Sequence, residues 1–331
     1  MVASNMKYRF SNLKVRGLFF IVSVLCLLSL MSCASGGKTE QKRKTRDAPS
    51  GAKAVKTMTP FVGGTFDASG VAGVPGTDGV LFVDNKREGQ VLWMKLDQNG
   101  KQVGDIKVID LGVAVRDPES ITTDGTYFYV ASSQSNRKAG DSAGLVRFKF
   151  DAASYSVRAV ETISGLRRFL VESVAELRED GDENGKHGGL NIEGLAWDPH
   201  QGRLILGLRS PIIDDHALLV PLRVKDPQGA FVIENLKVDR AIPLSLGEAG
   251  IRDIAYDPRA NVFRILSGAA EDQDATDFIL WEWDGNAQQP ALRETSRFDE
   301  SLKSEGVARV TAGGRDFIFI VFDSSGYAVV D

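Results

Sequence analysis

From about residue 57 onward the chain is a succession of short apolar runs cut by turns rich in Gly, Asn and Asp. The runs VLFVD (80–84), YFYVAS (127–132), RLILGLR (203–209), VFRILSG (262–268) and FIFIVFD (317–323) are dominated by β-branched and aromatic residues and read as strands. Each leads into a third apolar strand: QVLWMKLD (90–97), GLVRFKFD (144–151), ALLVPLRV (217–224), FILWEWD (278–284) and GYAVVD (326–331). In all but the last group a fourth follows, at 105–112, 156–164, 231–244 and 291–298. One stretch breaks the pattern. Leu166, Phe169, Leu170, Val174 and Leu177 recur at helical spacing and predict a short amphipathic helix within an insertion at 165–190.

Before each group the same phrase returns: DASGVA (67–72), DPESIT (117–122), NIEGLA (191–196), IRDIA (251–255) and SEGVA (304–308). The phrases start 50, 74, about 59 and about 54 residues apart, and the insertion accounts for the 74. A repeat of this length made of four strands is the mark of a β-propeller. The expected fold is therefore all-β, a five-bladed propeller of four-stranded blades, with six blades as the competing count. The fifth group stops after three strands, so KTMTPFVGGTF (56–66) is expected to supply its missing outer strand and close the ring, leaving only short protected edges.

The first residues stand apart from this pattern. Lys7, Arg9, Lys14 and Arg16 precede the apolar run GLFFIVSVLCLLSLM (17–31), which reads as an export signal over 1–32. The run is shorter than a membrane span needs. LMSC (30–33) resembles a bacterial lipobox, which would make Cys33 the lipidated N-terminus; Ala34 in that pattern implies an outer-membrane destination. Loss of Cys26 with the signal would leave one cysteine and no disulfide. Residues 33–56 read as a flexible basic tether, and 57–331 as one propeller domain with 29 Lys/Arg against 42 Asp/Glu, a net charge of −13. An acidic domain on a basic leash argues against nucleic acid and for cations or cationic ligands, with the leash on anionic headgroups. Acidity serving solubility alone is the plainer reading.

Aligned on their small residues, the phrases bring Ser69, Glu119, Glu193, Arg252 and Glu305 to one equivalent position. The first strand of a propeller blade lies innermost, so these side chains are expected around one mouth of the axial channel. By the strand period of two, Asp67, Asp117, Asn191, Gly250 and Lys303 are expected in a second tier on the same side. Three glutamates within about 5 Å would repel by roughly 3 kcal/mol per pair at an effective dielectric near 20, so they must hold protons, pair with Arg or bind a metal. Oxygen-only ligands with Asn191 beside them favour a hard cation, calcium first and magnesium second. Arg252 within the ring, with Arg116 and Arg209 in reach, favours a salt-bridged plug instead. No organic cofactor is expected.

DGDENG (180–185) matches the opening of a calcium loop and would offer Asp180, Asp182 and Asn184, but the twelfth position is Asn191 where a bidentate Glu is expected. An acidic solvated loop is the alternative. Its place before Asn191 and Glu193 suggests a lid beside the mouth. Among the three histidines, His200 falls in a turn and His216, beside Asp214 and Asp215, is either a general base near the mouth or a loop residue; His187 shares no ligand spacing with them. There is no G-x-S-x-G, P-loop or H-E-x-x-H.

NIEGLAWDPHQGRLILGLRSP (191–211) followed by ALLVPL (217–222), together with DPESITTDGTYFYVASSQS (117–135) and the DASGVA opening, resembles the bacterial family called domain of unknown function 3616, over about 65–331. The chain is also similar, at a distance, to phytase-like and esterase-like propellers, some of which hold calcium on channel carboxylates to hydrolyse phosphate esters. That resemblance implies metal-holding roles for Glu119, Glu193 and Glu305, with Arg209 and Arg252 positioning an anionic substrate; Arg252 departs from it, standing where another acid is expected. The expected function is an envelope-anchored lipoprotein that binds a small ligand or envelope component at its axial mouth with a divalent cation. The alternative is a calcium-dependent hydrolase of phosphate or carboxylic esters.

Overall fold

Each recurring phrase becomes the first strand of its own antiparallel sheet. The structure, a computed structural model, describes residues 52–135, 142–178, 185, 188–271, 277–287 and 290–330. The signal segment 1–32, Cys33 and most of the tether, His187 and the calcium-loop residues Asp180, Asp182 and Asn184 lie outside the described residues.

Two short strands come first, β1 (Lys53–Val55) and β2 (Thr59–Pro60). Blade one is β3 (Ala68–Gly73), β4 (Gly79–Asp84), β5 (Gln90–Leu96) and β6 (Gln102–Asp110); blade two is β7 (Pro118–Thr123), β8 (Phe128–Ser132), β9 (Leu145–Asp151) and β10 (Ser156–Ile163). After helix α1 (Leu166–Ser173), blade three is β11 (Asn191–Asp198), β12 (Arg203–Ser210) and β13 (Ala217–Val224). Its outer edge is shared by β14 (Leu236–Val238) and β15 (Ile242–Leu244), which both pair with β13. The single outer strand expected over 231–244 is thus broken, and Asp239 at the break is held by Arg203 and Arg223. Blade four is β16 (Gly250–Asp257), β17 (Val262–Gly268), β18 (Phe278–Trp283) and β19 (Leu292–Phe298), and blade five is β20 (Ser304–Ala312), β21 (Arg315–Phe322) and β22 (Gly326–Val330).

The five first strands form the inner ring: β3 touches β7, β7 touches β11, and so on through β16 to β20, which returns to β3. Five blades close the circle, and the predicted architecture holds. As expected, the segment before the first phrase completes blade five, where Thr59 and Pro60 pair with Tyr327 and Gly326. The fold begins earlier than the boundary at 57. Lys53–Val55, inside the stretch read as tether, adds a parallel strand to β19 of blade four. So short a strand carries no hydrophobic period to read, and only its partner defines it.

The apolar runs are buried on both faces because each blade is packed between two others. In β4, Val80 and Phe82 enter the seam with blade five, while Leu81 and Val83 enter the seam with blade two. In β21, Phe317, Phe319 and Val321 face one seam and Ile318, Ile320 and Phe322 the other. Each such side chain contributes about 1.5–3 kcal/mol of burial, so the seams are the core of the molecule. The helix is shorter than predicted: it ends at Val174, which is extended, and a tight turn carries Leu177 onward. The predicted stripe survives, with Leu166, Leu170, Val174 and Leu177 buried between blades two and three and Phe169 partly covered. Among the described residues no helix is long and apolar enough to cross a membrane.

Candidate functional site

Every first strand shares one break in its pairing with its second strand, and blade three has a further shift between Asn191 and Ile192. The register shifts between Ala68 and Gly70, Pro118 and Ser120, Ile192 and Gly194, Ile251 and Asp253, and Ser304 and Gly306. The residues skipped are Ser69, Glu119, Glu193, Arg252 and Glu305, the five that the sequence aligned. A β-bulge leaves its extra residue unpaired and re-aims the side chain. The recurring phrase is therefore a bulge written once per blade, and its product is a ring of side chains at one mouth. The small residue after the bulge is required by crowding: a Cβ on Gly70 would lie 2.6 Å from the Ser120 Cα.

Three of the ring residues, from consecutive blades, meet directly. Arg252 donates to Glu305 through Nε at 2.9 Å and through Nη2, and its Nε lies 3.0 Å from Glu193 Oε2. All three are buried, and the Phe278 ring lies 5.8 Å from the guanidinium carbon. Arg209 Nη1 and Asn191 Nδ2 donate to Glu193 Oε1 at 3.0 and 3.1 Å, while Arg209 Nε is held by the Ala269 carbonyl. Gly250 permits this, since a Cβ there would lie 2.1 Å from the Arg209 carbonyl oxygen. The salt-bridged plug anticipated from Arg252 is thus present. Arg116, by contrast, stands exposed near Glu88.

Glu119 stands apart within the ring. It is partly buried and, among the described residues, makes no hydrogen bond or ion pair. Burial pushes its carboxyl well above the ordinary range, and Glu193, Asp117 and Glu305 push the same way. Burial also drives the Glu305 carboxyl up to about 7, against the pull of Arg252. For Arg252 itself burial disfavours the cation, but Glu193 and Glu305 outweigh it and hold its pKa above the usual arginine value. Above the plug is a cavity of about 220 Å³ whose walls include Asp117, Glu119, Asn191, Glu193, Arg209 and Glu271. Four carboxylates there face one guanidinium. Asn191 is 9 % exposed, and its Oδ1 has no hydrogen-bond partner.

The second tier is only half assembled. Asp117 and Asn191 line the cavity, but Asp67, paired with Lys86, and Lys303, paired with Asp323, do not. The same bulge stands in all five blades, so the difference lies in the local partners, Lys86 for Asp67 and Asp323 for Lys303. Asp117 is steadied by Ser133 and Ser135, whose hydroxyls donate to its Oδ2. Ser69 is buried in the ring and does not line the cavity. His216 bonds the Asp214 carbonyl, and His200 meets Asn261 and Tyr256 at the other end of the strands; neither lines the acidic cavity.

Sequence reasoning missed Asp253. In blade four it replaces the small residue that follows the bulge, and its carboxylate accepts backbone N–H groups from Ile254, Val307 and Leu195, on three adjacent inner strands. Burial raises this carboxyl well above the ordinary range while those three donors pull it down. The departure is visible in IRDIA, the one phrase with a charged residue at the small position. Among the described residues, no group of three or more His, Cys, Asp or Glu side chains is arranged to share a metal ion. Arg252 holds both carboxylate oxygens of Glu305 and is ion-paired with Glu193, whose Oε2 takes no hydrogen bond among the described residues.

The family recognised in the sequence is supported by comparison: the profile of the family described as "Protein of unknown function (DUF3616)" matches residues 168–326. No curated protein matches the chain. Among solved structures, a glucose dehydrogenase is 11 % identical, with 83 % of this chain and 99 % of that chain covered and a TM-score of 0.42. Saccharomyces cerevisiae Sqt1 is 8 % identical, covering 84 % and 98 %, with a TM-score of 0.37. Kuenenia stuttgartiensis hydrazine synthase is 12 % identical, covering 76 % of this chain but only 61 % of that one, with a TM-score of 0.37.

Proposed function

We propose that this protein is an envelope-anchored lipoprotein whose propeller is a non-catalytic binding module, taking a small cation-bearing ligand in the acidic mouth. The observation that carries the reading is Glu119, a partly buried carboxyl with no partner among the described residues, beside the buried and unbonded Asn191 Oδ1. A carboxylate left in this setting is disfavoured by burial and by its acidic neighbours, and an incoming cation relieves both. The oxygen-only character of the free donors favours a hard divalent ion, calcium before magnesium, as the simplest occupant. Such an ion would be held by Glu119, Asp117 and Asn191, since Glu193 and Glu305 are engaged by Arg252. An ester hydrolase of the kind implied by distant resemblance would need those engaged oxygens as well, and the binding role is preferred for that reason.

Thermal melting of the full chain with calcium chloride, putrescine and, as an anionic control, sodium butyrate tests the reading. A saturating rise in Tm with calcium or putrescine, absent with butyrate and lost in Glu119→Gln, is the expected result. No rise with either cation at millimolar concentration would refute it. Calcium-dependent turnover of a generic phosphate or carboxylic ester would replace it with the hydrolase.

A further inference from the structure

The opposite end of the channel holds a larger cavity, of about 510 Å³, walled by residues from all five inner strands and the turns that follow them. It shares no lining residue with the acidic mouth. Its floor is aliphatic, formed by side chains such as Val71, Ile121, Ala255 and Ala308. Its rim carries Trp197, Tyr256, Pro75, Pro199 and Pro258. The volume lies within the range of about 300–1,000 Å³ typical of small-molecule sites.

Both rim aromatics are fixed before any ligand arrives. Trp197 stacks on Tyr129, with ring planes 2° apart and centroids 6.3 Å apart, and its backbone N–H is held by the Thr122 hydroxyl. Tyr256 is pinned through its hydroxyl, 2.7 Å from Asn261 Oδ1 and 3.1 Å from His200 Nε2. Rings immobilised in this way lose little freedom on binding.

The polar groups of this wall are turned to the protein. Thr77, Thr123 and Thr311 donate their hydroxyls to the Val74 carbonyl, the Tyr127 carbonyl and Asp316. Asp124 accepts from the backbone of Thr126 and Tyr127 and from the Tyr129 hydroxyl. Arg309 also lines the cavity, and its charge is already committed to Asp257 and Asp316. An anion entering here would lose its hydration and find the guanidinium of Arg309 already paired.

We infer that this second mouth is a binding site for an uncharged small molecule that presents a flat apolar ring. The inference does not rest on the acidic mouth, and the two fail separately. Benzamide is the neutral probe, benzoate and benzylamine are its charged counterparts, and methyl glucoside is a neutral ring clothed in hydroxyls. Binding to the full chain is followed by ligand-observed saturation-transfer NMR and by quenching of tryptophan emission. Benzamide is expected to bind, with benzoate and methyl glucoside at least tenfold weaker. Trp197→Ala is expected to weaken benzamide about tenfold by removing the stacking face. Thr311→Trp, a change at an exposed position on the rim, is expected to block the cavity without unfolding the protein. Glu119→Gln is expected to leave benzamide binding unchanged and to abolish any benzylamine binding that belongs to the acidic mouth. Absence of benzamide binding at millimolar concentration, a preference for methyl glucoside or benzoate, or full binding in a folded Thr311→Trp variant would each overturn the inference.

Discussion

The same five inner strands run from one mouth of the channel to the other, yet one mouth is a ring of charge and the other a bowl of rings and aliphatic side chains. The difference follows from position along the strand. At the entry of each inner strand a bulge turns Ser69, Glu119, Glu193, Arg252 or Glu305 out of the ladder, and the charges compensate one another only in part. Beyond the bulge the pairing is regular to the strand end, as from Gly194 opposite Gly207 to Asp198 opposite Arg203. There the charged residues sit in local pairs such as Asp198 with Arg203 and Asp257 with Arg264, and the axis is left to Trp197, Tyr256 and small residues. One local irregularity per repeat is enough to give a symmetrical scaffold two chemically unlike ends.

The comparison breaks most severely at Arg252. Arg252→Leu leaves Glu193 and Glu305 buried without their shared cation and is expected to destabilise the fold by about 3–5 kcal/mol, measured by urea unfolding. Pairing it with Glu305→Gln should recover part of that loss. If Arg252→Leu alone unfolds at the wild-type midpoint, the plug contributes nothing. Asp253→Ala, between the two mouths, removes the acceptor for three buried N–H groups and should cost about 3 kcal/mol. Amide exchange is expected to quicken at Leu195, Ile254 and Val307; an unaltered exchange pattern would remove Asp253 from its bridging role.

Smaller effects sharpen the contrast. Glu119→Gln deletes a carboxylate that is unpartnered among the described residues, beside Glu193, and should raise stability at pH 8 by roughly 0.5–1 kcal/mol. A loss of stability would mean that Glu119 has a partner. The pH dependence carries the same signature. Glu305 binds its proton more tightly in the fold, at about 7, than the ordinary value of 4.5, so its contribution is full below 4.5 and is lost as pH rises through about 7. Stability should therefore fall over that window, and the fall should flatten in Glu305→Gln. Affinity for a cation should move the opposite way, growing with pH as Glu119 sheds its proton.

How far the site could be read in advance varies residue by residue. Ser69, Glu119, Glu193, Arg252 and Glu305 were alignable because the phrase around them repeats. The same alignment brings Arg252 next to the glutamates. Alternation puts Asp67 and Lys303 in one tier with Asp117 and Asn191, but it carries no information on the local partners, Lys86 and Asp323, that keep them out of the cavity lining. Asp253 was overlooked although its phrase was in view, since its partners are backbone groups of other blades. The wide mouth was not foreseen at all: Trp197 and Tyr256 lie 59 residues apart in the chain, and nothing local announces that they share a rim.

The sequence by itself determined the propeller repeat, the order of strands, the closure by an N-terminal strand and the five aligned positions, because these are properties that recur and recurrence is visible in one dimension; the ring of contacts between first strands settled the count at five and showed the aligned positions to be bulges. Only the tertiary structure decided which carboxylates are neutralised, that Glu119 is not, and that the far end of the channel is a bowl. Those outcomes depend on which side chains from distant repeats arrive within a few ångströms of one another, and Coulomb energy and burial act on that distance, whatever the separation along the chain.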